Sequence, residues 1–332
     1  MTARPTAFGP QKGLSLVELM VAMLVGLILT AGAIQIFISS RQTYRVQENL
    51  SRMQENARFA MEYLRRDIRM ADYWGCVRDA RIGLPGSTDS NIQNNLNISA
   101  TFDFAFDQGI RGTDGQGNAP DAITLRGSRD EGVRIHPPFM DIAAAALHTN
   151  SNNGIEQGDI LLVTNCSTGT IFQATNANPG QSGTVVHNTG NIVAPGNSQK
   201  EFNQTYGAEA SIFKVTSTQY FVGDSAGVPA LFKQDMNDTP VEIVRGVEDM
   251  QITYGEDTDD DGVPNHFVPA GTAEFEIDRA VAIRISLLMR SDDNNVTSRP
   301  IDYSFNGQTV TPNDRHLRQV FTSTVAVRNR LD

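Results

Sequence analysis

The chain has little that would support catalysis. Its 332 residues hold two cysteines, Cys76 and Cys166, and no Cys-x-x-Cys pair. Its five histidines, His136, His148, His187, His266 and His316, are scattered. Thiolate and imidazole ligands at zinc-site spacing are therefore missing. There is no phosphate-cradling glycine loop and no His-Glu-x-x-His. That removes the common signatures of nucleotide enzymes and zinc proteases. Residues 112–117 are rich in glycine, but without a strand before and a helix after they read as a turn. Activity as an enzyme is not expected. Basic charge is also scarce: 27 Lys and Arg stand against 38 Asp and Glu, a net charge of -11. A nonspecific nucleic-acid binder needs a basic surface, so nucleic acid is not an expected partner. Repeats and low-complexity tracts are absent, and no proline falls between Leu14 and Trp74.

What is present begins at Gly13-Leu14-Ser15-Leu16-Val17-Glu18, after which the chain runs apolar to Ile38. As a helix, 14–38 would cover ~37 Å, enough for a hydrocarbon core of ~30 Å. A carboxylate in such a segment costs about 2.5–3.5 kcal/mol even on lenient insertion scales, so Glu18 calls for a function. Ala22, Gly26 and Thr30 are four apart and make a small-residue groove suited to close helix packing. An ordinary secretory signal would place Arg4 and Lys12 in the basic region and cleavage near Ala31-Gly32-Ala33. Against it, Glu18 would open the apolar core, and Ile34, Ile36, Phe37 and Ile38 continue past the cut. A plain anchor would leave Glu18 without a purpose.

Beyond Ile38 the helical pattern persists. Val46, Leu50, Met53, Ala57, Ala60, Met61, Leu64 and Ile68 recur at spacings of three and four, the mark of one buried stripe. One helix from about Leu14 to about Met70 would measure ~85 Å. Seven arginines (Arg41, Arg45, Arg52, Arg58, Arg65, Arg66 and Arg69) crowd this half and read mostly as a solvated face. After Cys76 turn residues separate short β-branched segments: 121–126, 159–164, 170–174, 184–187, 211–216, 219–222, 230–234, 241–244, 248–254, 280–290 and 319–328. Residues 143–147 suit a helical turn, and the Asn-rich stretch 83–108 reads as a long surface loop. Strand after strand behind one leading helix predicts an α+β fold: a long N-terminal helix packed on an antiparallel β-sheet head.

The junction at Gly13 resembles the class III signal of type IV pilins and pseudopilins. Further patches resemble the PilW family of minor pilins: Gln54–Ala60, Leu64–Cys76, Gly246–Gly255 and Thr322–Asn329. Together they span nearly the whole chain, although 83–118 and 173–206 match nothing nameable. The resemblance implies four parts: a leader over 1–13, the membrane half of the helix over 14–38, its amphipathic half over 39–74, and a periplasmic β-rich head over 75–332. It implies a prepilin peptidase cut between Gly13 and Leu14, methylation of Leu14, and an assembly role for Glu18. Loss of Arg4 and Lys12 would leave the mature chain two charges more negative. Other minor pilins, the major pilin, the peptidase and the inner membrane are the implied partners. The implied place is the inner membrane, then the pilus. The implied role is in starting pilus assembly within a tip or priming complex. A type II secretion pseudopilin and a membrane-anchored adhesin or DNA-uptake receptor remain alternatives.

Export with an even cysteine count reads as one disulfide, Cys76 with Cys166; two buried thiols would suit a cytosolic head. One further constellation carries chemistry. Asp257-Thr258-Asp259-Asp260-Asp261-Gly262 follows the opening of an EF-hand-type loop, with Val263 offering a carbonyl. Ca²⁺ is the expected ion, held by Asp257, Asp259, Asp261 and Val263. Val268 stands where the bidentate Glu belongs, so Glu256, Asn265 or a distant acid would complete the shell. The competing reading is an acidic hairpin loop kept open by repulsion.

Overall fold

With no proline to interrupt it, the leading segment forms one helix, α1 (Leu16–Met70), 55 residues long. At ~1.5 Å per residue that is ~82 Å. Ser15 caps it by accepting the Glu18 N–H at 3.2 Å, and Glu18 places its negative charge in the first turn. The computed structural model describes residues 13–98, 104–117, 119–190, 194–236 and 238–331. The expected leader, Gly13 apart, lies outside the described residues.

The helix ends four residues before the expected 74. Ala71 turns extended and Asp72 adopts a left-handed φ of 62°. Tertiary bonds make the stop: the Asp72 N–H donates to Arg126 O at 2.7 Å, and Arg330 Nε meets Asp72 Oδ2 at 2.6 Å. Asn329 Nδ2 donates to Ala71 O at 2.8 Å, so the end of the chain clamps the end of the helix.

Seventeen strands follow among the described residues: β1 (Ile82–Gly83), β2 (Ile92–Asn94), β3 (Ile110–Thr113), β4 (Ala122–Arg134), β5 (Leu147–His148), β6 (Ile160–Thr164), β7 (Gly169–Gln173), β8 (Thr184–Val185), β9 (Ser211–Ser225), β10 (Val228–Asp235), β11 (Val241–Arg245), β12 (Val247–Glu256), β13 (His266–Val268), β14 (Ala280–Arg290), β15 (Tyr303–Phe305), β16 (Gln308–Val310) and β17 (Arg318–Ala326). A large sheet runs β1-β2-β7-β6-β9-β10-β11, with β3 and β4 joined through β9. A smaller sheet runs β13-β12-β14-β17, and β15-β16 and β5-β8 stand apart as pairs. The α+β architecture holds, with two refinements. There are two main sheets, and the larger is mixed, because β2 runs parallel to both β1 and β7.

Helix and sheets share one core. Met53, Ala57, Ala60, Met61, Leu64 and Ile68 of α1 meet Tyr220, Leu231, Ile252, Ile283, Ile285, Leu287 and Val325. Val46 and Leu50, at the upper end of the expected stripe, are only half-buried. The run Ile160–Val163 is buried on both faces: Leu161 and Val163 join one core and Ile160 and Leu162 another. Alternate side chains of a strand point to opposite sides, so a continuous apolar run marks a strand covered on both faces.

Three expectations need correction. The expected strands 211–216 and 219–222 are one, β9, which pairs with β4 along 211–220, with β6 near its start and with β10 near its end. Residues 143–147 form a turn leading into β5, with Ala145 N donating to Ile142 O, and no helix. The stretch 83–108 is not simply a surface loop. Ile92, Asn94, Asn95, Leu96, Phe104 and Phe106 are buried. The asparagines make that burial tolerable: Asn94 Nδ2 donates to Phe104 O and Ala105 O at 2.7 and 2.9 Å. Buried backbone acceptors need such donors, and polar composition alone does not reveal that the side chains point inward.

Candidate functional site

Three features gather the residues singled out in the sequence. The first is the free half of α1. Every residue over 13–41 is exposed, Leu14 at 75% and Leu16 at 76%. This is the one described helix long and apolar enough to cross a membrane. Among the described residues no cation pairs with the Glu18 carboxylate. In the small-residue groove the Thr30 hydroxyl donates to Gly26 O at 2.7 Å, which satisfies it without a neighbour. The groove therefore presents no unpaired hydroxyl to an approaching helix.

The second feature is the bond between Cys76 and Cys166, with Cα atoms 4.7 Å apart. It ties the segment just after α1 to the β6–β7 turn, as the positions of the two residues in the chain suggest. Gly75 beside it takes φ 67°, and a Cβ there would lie 2.8 Å from Phe213. Only glycine fits that approach.

Third is the aspartate loop between β12 and β13. Asp257, Asp259 and Asp261 each bring a carboxylate oxygen within 4.8 Å of the others; Asp257 is buried and the other two are exposed. Asp257 Oδ1 accepts the N–H groups of Asp259 and Asp261 at 3.2 and 3.3 Å, and Oδ2 accepts that of Gly262 at 2.7 Å. Burial pushes this carboxyl up, but the Gly262, Asp261 and Asp259 N–H groups outweigh it and hold Asp257 below the usual carboxylate range. Gly262 turns the chain with φ 79°, and Val263 N donates to Asp261 Oδ1 at 2.8 Å. Of the residues expected to complete a shell, Asn265 lies beside the loop: its Nδ2 donates to Asp259 Oδ1 at 3.3 Å, and its Oδ1 accepts the Thr258 N–H and hydroxyl at 2.6 and 2.9 Å. Glu256 is engaged elsewhere, by His266 Nε2 at 3.0 Å and by the Glu276 N–H at 3.2 Å.

Arg279 is the loop residue that sequence reasoning missed. It exchanges two bonds with the Asp257 backbone, at 3.0 and 2.9 Å, and its Nη2 meets Asp260 Oδ1 at 3.0 Å. No local pattern could have revealed it, because it arrives from the start of β14.

The family described as Type IV Pilus-assembly protein W matches residues 219–329, and the prokaryotic N-terminal methylation motif matches residues 9–34. No curated protein and no solved structure matches the chain. The first match covers the end of β9 through β17, which includes the whole smaller sheet that receives α1. The second covers the expected cleavage junction and much of the free helix. A methylation motif on a membrane-anchoring helix, with the rest of that helix docked on a β head, defines a pilin-type subunit. The two matches support a type IV pilus minor pilin of the PilW family, with the PilW match confined to residues 219–329.

Proposed function

We propose that the chain is a minor pilin that helps to start type IV pilus assembly as one member of a tip or priming complex. In this reading it is a structural subunit with no reaction of its own. Its head faces the periplasm until the subunit joins the pilus with other minor pilins and the major pilin. The observation that carries the reading is the division of α1: one half exposed and apolar, the other fixed to the sheet of the matched family. A deletion strain tests it. Lost piliation and twitching are expected. Lost exoprotein secretion would indicate a type II pseudopilin, and normal pili with lost adhesion or DNA uptake would indicate a surface receptor.

Processing follows from the same reading. The prepilin peptidase is expected to cut between Gly13 and Leu14 and to leave a methylated Leu14. N-terminal mass spectrometry of the membrane-extracted protein checks this, and a start at Ile34 or Gln35 would mean an ordinary signal peptide.

Glu18 would find its partner in the filament. The α-amino group of a neighbouring Leu14 offsets a carboxylate that, alone in an apolar surrounding, costs several kcal/mol. Glu18→Ala is expected to leave cleavage and insertion intact and to cut incorporation into pili severely. Quantifying the variant in sheared pili against the membrane fraction decides, and wild-type incorporation would defeat the pairing.

The aspartate loop is proposed to hold Ca²⁺ through Asp257, Asp259, Asp261 and the Val263 carbonyl. The convergence of the three carboxylates and the Gly262 turn support this. Extracellular calcium modules bind at about 10⁻⁴–10⁻³ M, and the absent twelfth-position acid points to that range or weaker. Ion at a hundredfold excess over its dissociation constant adds about 2.7 kcal/mol to stability. Melting is expected to shift upward in calcium relative to chelator, and Asp259→Ala should erase the shift. Equal melting in both would leave the acidic hairpin reading.

A further inference from the structure

The head touches α1 well above its buried stripe. Gln42 Nε2 donates to the carbonyl of Val296, which lies in the loop 291–301 after β14. That loop is held firmly to the head. Thr297 N donates to Arg315 O at 3.1 Å, Arg315 N to Asn294 Oδ1 at 2.9 Å, and Ser291 N to Leu317 O at 2.8 Å. Val296 is 0% exposed and Thr297 6%, while Asp292, Asp293, Ser298, Arg299, Pro300 and Ile301 face outward. The loop is a rigid prominence and not a loose strand of chain.

Its height is set by the helix. Gln42 lies four residues past Ile38, where the apolar run ends, so it stands ~6 Å beyond that edge. A headgroup layer adds ~5–7 Å on each side of the hydrocarbon core. Arg41 and Arg45, one turn apart on the same exposed face, stand ~4 and ~10 Å beyond the edge. A segment bonded to Gln42 must sit at this depth whenever the helix spans a bilayer.

Resting on the membrane-anchored reading of α1, we propose that loop 291–301 docks on the lipid surface on the head's side of the membrane, with Arg41 and Arg299 contacting lipid phosphates. The groups facing the layer fit a shallow contact. Arg299 is exposed beside Ile301, which is 52% exposed. An arginine fork matches phosphate oxygens, and an isoleucine can enter the headgroup boundary. Asp292, Asp293 and Asp302 are also exposed, stay hydrated and oppose deeper insertion. The contact is therefore weak enough to release when the subunit leaves the membrane, yet it fixes how the head stands on its helix beforehand.

The test uses the full chain in vesicles of phosphatidylethanolamine and phosphatidylglycerol. Both native cysteines are joined to each other, so one added cysteine is a unique attachment point for a fluorophore. Labels at Ser298→Cys, Phe37→Cys and Thr189→Cys are quenched with nitroxides carried either on the lipid headgroup or in the mid-chain. The label at 298 should respond chiefly to the headgroup nitroxide, that at 37 to the chain nitroxide, and that at 189 to neither. In Arg41→Glu/Arg299→Glu the response at 298 should fall at least about twofold, since each basic group near an anionic surface adds to the attraction and each acid opposes it. If 37 responds and 298 matches 189, the docking proposal is overturned. Quenching at 298 that ignores the charge reversal would overturn the phosphate contact. Protection of the 298 label only in assembled pili would assign the loop to a neighbouring subunit instead. Failure at 37 itself would overturn the membrane reading.

Discussion

Replacing Cys76 and Cys166 together by serine should remove about 4–5 kcal/mol of stability from the head, the chain-entropy value for a closed loop of this size. The bond joins residues 90 apart in sequence. Between them lie β1 to β6, so opening the bond frees much of the large sheet in the unfolded chain. A net stability of 5–15 kcal/mol is usual for a domain, so this loss is a large share of the whole. Trp74, the single tryptophan, is 2% exposed and two residues from Cys76. Its fluorescence during urea unfolding of the detergent-solubilised protein reads the change directly. A destabilisation below about 1 kcal/mol would show that the bond constrains little of the unfolded chain.

The second large effect is expected at the joint between helix and head. Leu64 is 0% exposed and packs in the core shared by α1 and the two main sheets. Leu64→Ala should cost about 3–5 kcal/mol, the transfer term plus the cavity left behind. For a head of this size that lowers the melting temperature by roughly 6–20 °C. Phe59→Ala is the control: the side chain is 49% exposed and meets Tyr63, one turn on, edge to face with ring centroids 4.9 Å apart. It should change stability by about 0.5 kcal/mol or less. Equal effects at the two positions would mean that the helix is not held by its stripe.

The fold was legible wherever one local rule sufficed. Spacings of three and four without proline determine a helix, and Met53, Ala57, Leu64 and Ile68 name its buried face before any partner is known. Alternating or continuous β-branched runs determine strands, and β14 falls where the pattern places it, over 280–290. The methylation motif over residues 9–34 belongs to this class, because an apolar run interrupted by a carboxylate is a one-dimensional signal. The pairing of Cys76 with Cys166 was legible as well, since a chain with two cysteines leaves a single possible intramolecular bond.

Tertiary structure alone decided the rest, and the reason is the same each time: the partners are distant in sequence. Arg330 and Asn329 stop the helix at Met70, although residues 71–74 carry no breaker. Asn94 and Asn95 look like loop residues until the carbonyls they satisfy are known. Thr218 stays within β9 because β4 and β10 cover its two neighbouring edges in turn. The height of loop 291–301 depends on one bond across the chain, from Gln42 to Val296. The sequence thus determined the class of protein, its membrane-anchoring helix and its covalent tie. Where that helix ends, which polar segments turn inward and what the head presents beside Gln42 were decided by long-range hydrogen bonds that no local pattern encodes.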